Sequence, residues 1–170
     1  MTNYAAFERT RVCQDVGRVY QAYLVEVAEL EKVVTAQASR AETSALLRDG
    51  VRFDTRLFVT QATLKQLRIQ CVVMLDHSGK VVYAQGINAA GDSGLTPVSP
   101  DLLDALNSQF DRPRTEGTAW HISGILMLPE GPMLVAGHPV RNIAGVEMGT
   151  LLMGRRLDAA MITRLSEVSH

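Results

Sequence analysis

From Phe7 to about Ala38 the chain contains no proline and a single glycine, Gly17, while apolar residues fall at Val12, Val16, Val19, Tyr23, Val27, Leu30 and Val34. Steps of three and four place these side chains on one face of a helix. At about 1.5 Å of rise per residue, the helix would be about 45 Å long, more than a compact domain of this size needs. The excess leaves two readings: the helix packs against a second copy of the chain, or it continues beyond this sequence. A further stripe of Tyr20, Leu24 and Val27 lets one side face the domain while the other meets a partner. Homodimer contact through this helix therefore stands beside burial within one subunit.

Shorter helices are expected next. One covers Glu42 to Arg48 and is stopped by Gly50; another runs from an Asp54 N-cap to about Arg68, with Leu57, Leu64 and Leu67 inward. Then the period changes from helical to alternating. "CVVMLD" (Cys71–Asp76) and "KVVYAQ" (Lys80–Gln85) are short β-branched runs, and "HSG" between them gives a tight reversal. Residues 86–98 read as a loop. Ser99-Pro100 opens a helix to Phe110, with Ser as N-cap and Leu102, Leu103, Leu106 and Phe110 inward. After the loop "DRPRTEG" come three strands, Thr118–Leu128, Met133–Val140 and Glu147–Gly154, with reversals at "PEGP" and "RNIAG", and a last helix from Arg155 to Val168. The pattern predicts one α+β domain over 1–170, a five-stranded antiparallel sheet with helices packed on it.

Forty-six per cent apolar residues suit a globular core. With a net charge of −1 and no basic cluster, nucleic acid is not an expected partner. No apolar run has the length of a membrane span, and "MTNYAAFERTRV" is not a signal peptide, so the sequence taken literally reads as intracellular. Cys13 and Cys71 do not form a CxxC pattern; they are read as two buried thiols, with a disulfide between the first helix and the first strand as the other option.

"GDSG" at Gly91–Gly94 has the look of a protease nucleophile turn, and "TAWHIS" that of its histidine. Ser93 would need a base in hydrogen-bond reach, a group orienting that base, and paired amide donors. Leu95 stands where the motif wants a second glycine, His121 follows the serine instead of preceding it, and the chain is short of strand for two barrels. Turn chemistry explains the tetrapeptide. His77, His121, His138 and His170 lack metal-pair spacing, no phosphate-cradling Gly-Lys-Ser/Thr occurs, and Asp76 is expected to cap its own turn. These residues predict a binding module, without catalysis, cofactor or metal.

"VVMLDHSGKVVYAQGI" (Val72–Ile87), "SGILMLPEGPMLVAGHPV" (Ser123–Val140) and "GTLLMGRRLDAAMITRLSE" (Gly149–Glu167) resemble the CHASE family of extracellular sensory domains, fourth type. The most specific part is the ending, where a strand runs into Gly154-Arg155, then Leu157-Asp158 and an apolar helix; "FERTRVCQDVGRVYQAYLVEVAELEKVV" looks like the long helix that leaves a first transmembrane segment. Ser39-Arg40 departs from the Trp-Asp pair such domains usually carry after that helix. The resemblance implies a PAS-like or Cache-like sandwich outside the membrane. It also implies flanking membrane segments and an intracellular output domain, such as a diguanylate cyclase, a cyclic-di-GMP phosphodiesterase or a histidine kinase. It replaces the intracellular reading and makes the disulfide more plausible, because thiols oxidise outside the cytosol.

A sensor of this kind needs a pocket for a small-molecule ligand. The expected place is over the sheet, roofed by the Gly86–Val98 loop and the Ser99–Phe110 helix, with Tyr83, Trp120, Ser123, Met127 and His138 reaching it. Arg155, directly after the last strand, is expected to link the sheet to the final helix and not to touch ligand. Two other readings stay open: a cytosolic dimerisation module of roadblock or profilin shape without ligand, and a small hydrolase using Ser93.

Overall fold

The computed structural model describes residues 3–49, 58–87, 94–110, 122–157, 159–161 and 163, with backbone alone at 3–16, 109 and 110. The elements are α1 (Asn3–Ala38), α2 (Ala41–Asp49), α3 (Gln61–Leu67), β1 (Cys71–Asp76), β2 (Val81–Ile87), β3 (Leu95–Pro97), α4 (Pro100–Phe110), β4 (Ile122–Leu128), β5 (Gly131–Arg141) and β6 (Glu147–Arg156). The strands form one antiparallel sheet in the order β3-β2-β1-β6-β5-β4. Hairpins make the outer pairs. The central pair, β1 with β6, joins Cys71 to Gly154 and so closes the sheet across most of the chain.

The sheet has six strands where the alternation predicts five. Leu95–Pro97, expected as loop, pairs with Gln85–Ile87 at one edge. Three residues are too few to show a period of two, and Pro97 argues against a strand except at an edge, where a missing N–H costs nothing. Strand β6 also runs two residues past its expected end, to Arg156, and residues 159–161 and 163 are helical beyond it. The third helix starts at Gln61, not Asp54. Thr60 caps it, its hydroxyl accepting the Thr63 N–H at 3.1 Å, and Asp54 and Gly50 lie outside the described residues.

Two reversals share one device. At the β1–β2 turn, Asp76 Oδ1 accepts hydrogen bonds from the N–H of Ser78 (2.8 Å) and Lys80 (3.0 Å) and from the Ser78 hydroxyl (2.6 Å). At the β5–β6 turn, Asn142 Oδ1 accepts the N–H of Ala144 (2.9 Å) and Val146 (3.0 Å). Each turn closes through a glycine at positive φ, Gly79 at 86° and Gly145 at 78°. The Ser78 hydroxyl, ahead of the backbone donors, holds the Asp76 carboxyl below its usual range.

Alternation along the strands divides the core in two. On one face α1, α2 and α3 cover Val72, Met74, Leu134, Ala136, Leu151 and Met153; Val27, Leu30, Val34 and Ala38 of α1, at steps of three and four, are all buried there. On the other face α4 places Leu102 and Leu106 over Cys71, Val73, Leu75, Val135 and Leu152. At 36 residues α1 is about 54 Å long and overhangs the sheet, leaving Val19, Tyr20 and Leu24 exposed. Ser39 and Arg40 form the exposed α1–α2 corner, with the Ser39 hydroxyl donating to the Thr35 carbonyl at 2.8 Å and Arg40 pairing with Glu42 at 3.4 Å.

Candidate ligand-binding site

On the α4 face, one row of directly paired residues crosses all six strands: Thr96, Gly86, Cys71, Gly154, Val135 and Gly124. Three of the six are glycine, so the row is a trough in a sheet otherwise covered by branched side chains. Gly86 and Gly154 are fixed by close approach. A Cβ on Gly86 would stand 2.7 Å from the Gln70 carbonyl oxygen, and one on Gly154 would stand 2.5 Å from Cys71 Sγ and 2.6 Å from Met133 Sδ.

A cavity of about 450 Å³ occupies the end of this trough nearest β3. Its floor is Gly86, Cys71 and Met133; β3 and the first turn of α4 wall one side through Thr96, Pro97, Ser99 and Leu102, and Gln70, Glu130 and Arg156 form its polar rim. That volume lies within the ~300–1,000 Å³ typical of small-molecule sites. The floor is chemically quiet. Cys71 is an unpaired, buried thiol whose pKa burial pushes up to about 12, with Sγ 3.7 Å from Met133 Sδ. The disulfide option is thereby set aside; the side chain of Cys13 is outside the described residues.

The rim carries both charges. Gln70 Oε1 accepts the Arg156 N–H at 2.6 Å, which fixes the amide so that its NH₂ remains as a donor. Ser99 caps α4 as expected, its hydroxyl accepting the Leu102 N–H at 3.4 Å. Among the described residues neither the Arg156 guanidinium nor the Glu130 carboxylate belongs to an ion pair.

Arg155, one residue earlier on β6, points to the opposite face and is almost fully buried. Its Nη1 donates to Glu26 at 2.9 Å and Glu29 at 3.3 Å on α1, its Nε to the Arg68 carbonyl at 3.2 Å, and its Nη2 to the Leu67 carbonyl at 3.2 Å. It is thus a structural tie, as the sequence suggests, but to α1 and the end of α3 where the final helix was expected.

The five residues proposed from sequence do not gather at the cavity. Tyr83, Ser123, Met127 and His138 fall on the α1 face, opposite the expected roof. Tyr83 is buried against Phe58 with ring centroids 5.4 Å apart, and its hydroxyl has no hydrogen-bond partner among the described residues. Burial raises its pKa. Ser123 and Met127 are exposed on edge strand β4, Met127 at 76%, and the His138 ring lies 2.9 Å from the Pro139 carbonyl. Trp120 lies outside the described residues, as do Ser93 and His121 of the hydrolase reading. Of the expected roof, Thr96 to Ser99 and Leu102 wall the cavity, Gly86 lies in its floor, and residues 88–93 lie outside the described residues. Sequence reading missed Gln70, Thr96, Glu130 and Arg156. Among the described residues there is no helix long and apolar enough to cross a membrane, and no group of His, Cys, Asp or Glu placed to hold a metal.

The architecture, a long helix over one face of an antiparallel sheet and a covered trough on the other, is that of PAS-like and Cache-like sensor domains. The CHASE4 domain model matches residues 24–170, and the chain belongs to that family. It is therefore a sensory domain of a transmembrane receptor, on the extracellular or periplasmic side, which sets aside the cytosolic dimerisation module. Solved structures share its fold at low identity. The sensor domain of the Vibrio cholerae histidine kinase DctB is 10% identical, with 96% of this chain and 60% of that one covered and a TM-score of 0.60. The periplasmic domain of V. cholerae LuxQ is 17% identical, with 92% and 70% covered and a TM-score of 0.57. The ligand-binding domain of the Campylobacter jejuni chemoreceptor Tlp3, solved with L-valine, is 10% identical, with 97% and 65% covered and a TM-score of 0.52. No curated protein sequence matches the chain.

Proposed function

We propose that this sensory domain responds to a small polar molecule held in the 450 Å³ cavity, and that occupancy is passed to α1 through two consecutive arginines of β6. One observation carries the reading: Arg156 faces the cavity while Arg155, its neighbour in the strand, grips Glu26 and Glu29 of α1. A ligand that draws Arg156 inward displaces the backbone that carries Arg155. It shifts the receptor only by its differential affinity for the two arrangements, and about 1.4 kcal/mol changes their ratio tenfold.

Arg156 and the Gln70 amide are donors suited to a carboxylate, and Glu130 suits an ammonium, so a zwitterion or a small carboxylate fits the rim. The Tlp3 domain, solved with L-valine, has a ligand of this kind on the same fold. The module is not catalytic on this reading: the Cys71 thiol at the floor of the cavity is buried and held protonated. The exposed Val19, Tyr20 and Leu24 of α1 are the surface for a second copy, and the signal passes on to an intracellular output domain such as a cyclase, phosphodiesterase or kinase.

A thermal-shift screen of amino acids and small carboxylates tests the proposal. At 100 times its dissociation constant a ligand adds about 2.7 kcal/mol of stability. Arg156→Ala should abolish that response while leaving the unliganded midpoint close to wild type. An undiminished response in Arg156→Ala would place the ligand elsewhere.

A further inference from the structure

A second cavity, of about 230 Å³, lies at the same end of the sheet, where β1 begins and β2 and β6 end. Lys65, Arg68, Arg155 and Arg156 line it together with Gln70, and Ile87 and Met161 close its apolar side. No acidic residue belongs to the lining. Every polar side-chain atom there is a donor, except Gln70 Oε1, which the Arg156 N–H already occupies at 2.6 Å.

Cations beside a helix C-terminus ordinarily serve its unpaired carbonyls. Here the carbonyls of Leu64, Lys65, Leu67 and Arg68 are taken. The Leu64 carbonyl accepts the Ile69 N–H at 2.9 Å and the Lys65 carbonyl the Arg68 N–H at 3.1 Å, while Arg155 occupies those of Leu67 and Arg68. The charge of Arg155 is in turn met by Glu26 and Glu29. Arg68 and Arg156 remain, both half-buried and with no carboxylate partner among the described residues. Like charges gathered in a partly desolvated recess repel one another, and a guest consisting only of acceptors relieves that cost.

We infer that this recess is a second binding site, for a small oxoanion such as phosphate or a carboxylate. It is distinct from the larger cavity, although the two share Arg156 and Gln70 as a common wall. A volume below the range of drug-sized sites suits a small ion and not a nucleotide. Bound there, the anion joins the end of α3 to β6 and to the helical residues around Met161.

The test is a titration of the purified domain with inorganic phosphate, against chloride at matched ionic strength, followed by the thermal midpoint. Phosphate raises the midpoint of most proteins steadily, by exclusion from their surface. The expected result is a saturable rise on top of that linear one. A Lys65→Gln, Arg68→Asn double variant should keep the linear part and lose the saturable one; Asn is chosen because position 68 sits at φ 58°. Arg68→Lys should retain it. Thr96→Val, which touches only the larger cavity, should leave the phosphate response unchanged, so the two sites fail separately. Should the double variant not fold, phosphate-dependent amide shifts in the wild type should gather at residues 65–70, 87 and 155–161. No saturable phase in the wild type, the same phase in the double variant, its loss in Thr96→Val, or shifts confined to the larger cavity would each overturn the inference. So would binding to phosphatidylglycerol vesicles without a response to free phosphate.

Discussion

The two faces of the sheet are built to different specifications. Over its central strands the α1 face is sealed: Leu30, Val34, Val72, Met74, Leu134, Leu151 and Met153 are buried to within a few per cent, and three helices lie over them, while Ser123 and Met127 of edge strand β4 stay exposed. The α4 face has fewer buried side chains, one covering helix, and glycine at three of the six places in its central row. One face supplies the stability that lets the other keep a hole. The same strands serve both, because a period of two sends neighbouring residues to opposite sides.

The largest effect is expected at Arg155. Removing Arg155 takes the side-chain donor from the Leu67 and Arg68 carbonyls and the cation from Glu26, which is 17% exposed, so Arg155→Ala should cost about 3–5 kcal/mol in denaturant unfolding. A cost under about 1 kcal/mol would show that the α1 face does not depend on this tie. Next, Leu151→Ala on the sealed face should cost about 4 kcal/mol and Leu102→Ala, beside the cavity, about 2 kcal/mol, since a void is less costly where space already exists; equal costs would erase the distinction. Gly154→Ala sharpens it further. Its Cβ displaces the two sulfurs of the floor, so a loss of about 1–3 kcal/mol should come with loss of the ligand response.

Smaller effects follow at the ends of the sheet. Asp76 has a folded-state pKa below its ordinary value, so its contribution is present above the ordinary carboxylate pKa and is lost as pH falls through the folded one. The group is largely exposed, which limits the effect to about 1 kcal/mol or less; Asp76→Ala should remove that part of the pH dependence between pH 6 and pH 3. Last, Cys71 should resist alkylation at pH 8 until the domain unfolds, because its thiol stays protonated.

The sequence discloses most of the fold and little of the site. Helical spacing in α1, the Ser99-Pro100 cap and the Asp76–Gly79 turn are local, and each is readable where it stands. The cavity is not local: its floor unites Cys71, Gly86 and Met133, and no window of sequence contains all three. Phase is the second obstacle. Alternation tells which residues of a strand share a face, but not which helix will cover that face, so Tyr83, Ser123, Met127 and His138 read as lying beneath α4 while they stand on the α1 side. Arg156 was hidden because it sits where the last helix was expected to have begun.

Arg155 holds α1 near its middle. From Glu26 to Asn3 the helix continues for about 35 Å. Any rocking about that fulcrum is magnified along this length, and a tilt of about 5° moves the far end by about 3 Å. On the proposed reading, a ligand-driven displacement at this clasp, too small to disturb the packing, would arrive at the far end as a stroke comparable to a helix shift at a subunit boundary.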